Sequence, residues 1–123
     1  MSFTQYPFAA TMQTRTDYAA AMERVYVVYK DARAQCDPLT GHGKNICVAE
    51  AMAVEKRAKA AAEVNYRGTI GSKTDSRIAD ADADLMIARV ACGTKAGQEK
   101  DACLKEAKAT NVRLVANAAA YAK

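Results

Sequence analysis

The chain has 123 residues, four cysteines, two phenylalanines, no tryptophan and a net charge of +4. That length sets one domain, and its alanine-rich apolar half gives a thin core, because small side chains remove little area from water at roughly 25 cal/mol per Å². No run approaches the roughly twenty apolar residues of a membrane span, and the basic residues are mixed with acids along the chain, which excludes a concentrated nucleic-acid face.

In chain order, residues 1–13 come first as an aromatic arm holding Phe3, Tyr6, Pro7 and Phe8. They lack the basic start and continuous apolar run of an export signal, so either the chain is a mature or recombinant form or it is not exported. A first helix is expected over 16–36, capped by Thr16 or Asp17. There Tyr18, Met22, Val25, Tyr29, Ala32 and Cys36 recur at steps of four and three, the spacing of one packed stripe. Tyr26 lies beside that stripe. Asp37-Pro38 disfavours further helix, and Gly41 and Gly43 permit a reversal. The second helix is expected over 45–66, with Cys47, Ala51, Val54, Ala58 and Ala61 as its stripe.

Gly68, Gly71, Ser72, Thr74, Asp75 and Ser76 then read as a linker, 68–75, ending in a helix cap. A third helix over 76–92 carries Ile78, Ala81, Leu85, Ala88 and Cys92 on one stripe. Gly93 and Gly97 repeat the break. A fourth helix over 99–122 has a weaker stripe of Cys103, Ala107, Thr110, Leu114, Asn117 and Tyr121.

The two halves are copies. Shifted by fifty-six positions, Cys36 and Cys47 fall on Cys92 and Cys103, and both segments read A-R-x-x-C-x4-G-x2-K-x2-C-x2-E-A. Ala53 and Arg57 fall on Ala109 and Arg113. Matching cysteine, glycine, lysine, arginine and glutamate in one register indicates internal duplication, with too few copies for a solenoid. Four cysteines allow three pairings. Cysteines eleven apart on continuous helices would instead bridge helix to helix, as in mitochondrial twin-cysteine hairpins. The intervening glycines and Pro38 favour Cys36–Cys47 with Cys92–Cys103. The expected fold is therefore all-α, with two disulfide-closed antiparallel hairpins (14–67 and 76–123) forming a four-helix bundle or a dimerising pair. Structural disulfides in so small a domain favour the periplasm or cell exterior.

On these C-x10-C hairpins, the K-x2-C-x2-E-A signature and the A-R-x-x-C lead-in, the chain resembles a group of small exported, alanine- and lysine-rich proteobacterial proteins. The resemblance covers roughly residues 30–60 and 86–116. It implies a periplasmic, disulfide-containing helical protein and carries over no catalytic residues.

Little in the sequence points to chemistry. His42, the one histidine, sits between glycines and reads as an exposed turn residue; its counterpart in the second copy is Gln98. A zinc knuckle needs shorter cysteine spacing, and a C-x-x-C redox pair is absent. Asp80, Asp82 and Asp84 imitate the start of a calcium loop. Leu85 and Ala91, however, stand where that loop needs Gly and Glu, and on a helix the three carboxylates scatter, with Asp80 in reach of Arg77. No nucleophile with its base and no phosphate-cradling loop is present. The reading expects no enzyme and no cofactor. A structural or self-assembling protein of the envelope or exterior is expected, with Phe3, Tyr6 and Phe8 either covering one end of the bundle or making the contact to a second copy. The alternative is a small periplasmic binding or chaperone-like protein with an apolar cradle. The partner is the chain itself, with no specific nucleic acid and weak attraction to anionic envelope components.

Overall fold

The computed structural model describes residues 13–121. Phe3, Tyr6 and Phe8 lie outside them. Four helices follow in order: α1 (Arg15–Ala34), α2 (Gly41–Arg67), α3 (Ile70–Ala91) and α4 (Gly97–Tyr121), with a 3-10 turn at Cys92–Thr94. The all-α, paired-hairpin architecture read from the sequence is the one found.

Local chemistry starts each helix. Thr14 caps α1, its hydroxyl accepting from the Asp17 amide while the Asp17 carboxylate accepts from the Thr14 amide, so two orphan donors are satisfied reciprocally. Thr69 and Ser72 do the same for α3. Gly41 and Gly97, equivalent in the two copies, open α2 and α4 with φ of 60° and 56°. That left-handed conformation is costly for any residue with a Cβ, which explains why both copies keep glycine there.

The expected linker over 68–75 is helical from Ile70 onward. The reversal is made by Gly68, at φ 63°, and Thr69 alone. Gly71 and Ser72, which read as loop formers, lie in the first turn of α3, where Ser72 is needed for the capping box. Thr14 caps α1 in place of Thr16 or Asp17, with Asp17 the reciprocal partner.

Packing is serial and antiparallel. α1 lies on α2, α2 on α3 and α3 on α4, and these sequential pairings are the extensive ones among the described residues. The result is a layer of helices whose middle members are covered on two sides and whose edges, α1 and α4, are covered on one. Small residues let the helices approach closely: Ala49, Ala51, Ala53, Ala62, Ala81, Ala83 and Ala118 are buried, joined by Leu85, Cys36 and Cys92. The bulkiest fully buried side chains are the two cysteines. A core this thin contributes little transfer free energy, so the disulfides have a large share in holding the layer.

Both disulfides close within a hairpin, Cys36–Cys47 and Cys92–Cys103, with Cα–Cα separations of 5.6 and 5.7 Å. Each joins the end of one helix to the first turns of the next. The stripes of α1 and α3 face their neighbours as expected. On α4 the buried positions are Asn111 and Ala118, whereas Asn117 and Tyr121 of the expected stripe are exposed. On this seam the buried Asn111 donates to Asp82 at 2.9 Å.

His42 is not the exposed turn residue expected. It belongs to the first turn of α2, is half-buried, and lies against Gly93 of the second copy, where an added Cβ would sit 3.6 Å from its Cε1.

Candidate functional site

Each hairpin carries an apolar groove between its two helices, next to its disulfide. In the first copy the groove lies between α1 and α2, has a volume of about 380 Å³, and is walled by Val28, Ala32, Cys47, Glu50, Ala51 and Val54. In the second it lies between α3 and α4, holds about 750 Å³, and presents Asp84, Ala88, Cys103, Glu106, Ala107 and Thr110 at the same six positions. The repeat has therefore copied a surface as well as a skeleton. Four signature residues of each copy (Ala32, Cys47, Glu50 and Ala51; Ala88, Cys103, Glu106 and Ala107) stand in these walls.

Alanine and cystine have an evident structural use in such a wall, since they permit close helix packing. The glutamates do not. Glu50 and Glu106 are exposed and have no ion-pair partner among the described residues. Each stands as an exposed carboxylate beside an apolar floor. Asp31 adds a second acid to the first groove; Glu99 adds one to the second, beside Lys95. Both rims are thus acidic on a chain that is basic as a whole.

The grooves share one face of the layer. Arg57 of α2 lies one turn beyond Val54 of the first groove, and it reaches across to α3. There it hydrogen-bonds to Asp84, which walls the second groove, and lies 3.8 Å from Asp80. Asp82 turns to α4 and accepts from Asn111. The three aspartates therefore go to two different neighbours, and Asp80 pairs with Arg57 in place of Arg77. The Arg77 guanidinium lies 3.8 Å above the Tyr121 ring.

A second polar cluster closes the open end of the first hairpin. The Tyr18 and Tyr66 rings stack at 4.5 Å, the Tyr18 hydroxyl donates to the Glu63 carboxylate, and Arg67 donates to Glu63 at 2.6 Å. The hydrogen bond to Glu63 chiefly raises the Tyr18 hydroxyl above its ordinary value, and burial adds to it. The same bond, followed by that from Arg67, holds the Glu63 carboxyl below its ordinary value against the opposing effect of burial. Glu63 in turn raises Arg67. These groups satisfy one another across α1 and α2 and do not face either groove, so the cluster reads as a clamp rather than a reactive centre.

Among the described residues no group of three or more metal-ligating side chains comes together, and no helix is long and apolar enough to cross a membrane. The disulfides point to an oxidising environment outside the cytoplasm. Neither a family model, nor a curated protein, nor a solved structure matches the chain. All four cysteines named from the sequence are brought together as paired. The groove glutamates were visible as part of the repeat, but their spacing alone gave no reason to separate them from the turn signature. Their exposure and lack of a partner supply that reason.

Proposed function

We propose that this chain is a non-enzymatic, self-associating structural protein of the periplasm or cell exterior, built from disulfide-closed hairpins that meet other copies through the grooved face. One observation carries the reading: the residues retained in both copies wall two equivalent, acid-rimmed apolar grooves that the fold itself leaves open. The serial layer adds support, since large apolar groups such as Val28, Val54 and Met52 stay on its surface although the core is alanine.

Size-exclusion light scattering tests this. A mass several times the 13.2 kDa of one chain, falling on reduction, is the expected outcome. A monomer at all concentrations overturns it.

The unequal size of the grooves favours a second reading, a small binding protein whose larger α3/α4 groove cradles an apolar segment of another protein. In that case the chain stays monomeric or dimeric and suppresses aggregation of an unfolding client. Substituting Leu85, the large buried apolar residue of that groove, by a polar residue would then remove the suppression.

A further inference from the structure

The duplication makes the joint between the hairpins a template for how one copy could follow another. Within the chain, the second helix of one hairpin (α2) packs on the first helix of the next (α3). By the same repeat, α4 of one molecule would pack on α1 of another, and the layer would grow without limit.

Residue for residue, the two free edges lack the complementarity of the joint. The joint is made of small and oppositely charged groups: Ala49, Ala53 and Arg57 from α2, with Asp80, Ala83 and Asp84 from α3. Ala53 and Ala83 are fully buried there, and Arg57 pairs with both aspartates. Fifty-six positions on, Ala49 becomes Lys105, Ala53 becomes Ala109 and Arg57 stays basic as Arg113. Fifty-six positions back, Asp80 becomes Arg24, Ala83 becomes Val27 and Asp84 becomes Val28. An edge-to-edge joint would set Arg113 against Arg24, put Lys105 where an alanine is buried, and lose both ion pairs. Like charges brought together at an interface oppose it. Polar outer faces on terminal repeats and charged edges on sheets work in the same sense.

The charges that oppose one contact suit another. The outer side of α4 exposes Lys105, Lys108, Val112 and Arg113 with Asp101 as the acid among them, a net basic strip with an apolar centre. The grooves present the complement, apolar floors rimmed by Glu50 and by Glu99 and Glu106. α1 is the weaker candidate, since Glu23 and Asp31 offset Arg24 and Lys30. We infer that copies associate with the basic outer side of α4 of one molecule lying on the acid-rimmed grooved face of the next, and not by extending the helix layer edge to edge. The inference rests on self-association through the grooved face and names the surface that meets it.

The test is a charge exchange read by sedimentation velocity with the full chain. Lys105→Glu with Lys108→Glu, and separately Glu50→Lys with Glu106→Lys, should each weaken association by about tenfold or more, given the cost of like-charge contacts. Mixing the two variant proteins should restore it. Arg24→Asp with Lys105→Ala should instead rebuild the internal joint at the edges and give masses that climb with concentration. All substituted positions are exposed, and circular dichroism of each variant checks that the helices persist. Charge variants that associate as the parent does would overturn this inference while leaving self-association intact. A parent that stays monomeric would overturn the proposed function itself.

Discussion

The two hairpins share a disulfide skeleton and differ at the end away from it. Hairpin one is clamped there by stacked Tyr18 and Tyr66 and the shared carboxylate of Glu63. Hairpin two has Arg77 over the exposed Tyr121 ring there, and Asn111 on Asp82 midway along its helices. The groove beside the disulfide differs in step, about 380 Å³ in the first hairpin and about 750 Å³ in the second. A crosslink near the turn sets where two helices begin to pair. How closely they stay together further along depends on the side chains between them, and there the copies have diverged.

The largest expected effect comes from breaking what the hairpins share. Replacing Cys36 and Cys47 by serine, or Cys92 and Cys103, should cost about 3 kcal/mol per bridge in the chain-entropy account, measured by urea unfolding. Equal losses would mean the far-end contacts do not matter; a smaller loss in hairpin one would show the clamp acting as a second fastener. Next in size, Ala53→Leu or Ala83→Leu forces a large side chain between α2 and α3, where neither residue has any exposure. It should cost about 1–3 kcal/mol. If the hairpins are independent units, the melt would instead split into two transitions with little total loss.

Gly41→Ala and Gly97→Ala should each cost about 1 kcal/mol, since an added Cβ meets nothing within 4 Å and only the positive φ resists it. Unequal costs would show that the two turns are no longer equivalent. The smallest effect is confined to hairpin one and depends on pH. Tyr18 is raised in the folded state, so its contribution is complete below its unfolded value of about 10 and is lost as pH rises through the folded one. Glu63 is lowered, so its contribution is complete above its unfolded value of about 4.3 and is lost as pH falls through the folded one. The melting difference between the parent and Tyr18→Phe should therefore shrink as pH climbs above about 10. A constant difference would remove the Tyr18–Glu63 bond as its source.

Much of the fold was legible because duplication shows itself in one dimension. Cysteine, glycine and glutamate in one register announced two hairpins, and helical stripes ending or starting at cysteines gave the pairing. Boundaries were harder. Ser72 reads as a loop former in isolation and becomes a capping residue only once Thr69 is placed three positions before it. Asp80 seemed to belong to Arg77 because both lie on one helix, and only the approach of α2 brought Arg57 within reach.

By itself the sequence determined the helical class and the two copies and favoured the disulfide partners found, since periodicity, repeat spacing and glycine breaks are properties of the chain taken locally. The tertiary structure alone decided that the hairpins lie side by side in a layer, that Glu50 and Glu106 rim open grooves, and that Lys105 and Arg24 stand at its edges. Those outcomes depend on which faces meet, and with stripes of alanine nearly any face can pack. The choice falls to a few pairs far apart in the chain, such as Arg57 with Asp84, whose worth appears only when the helices are in contact.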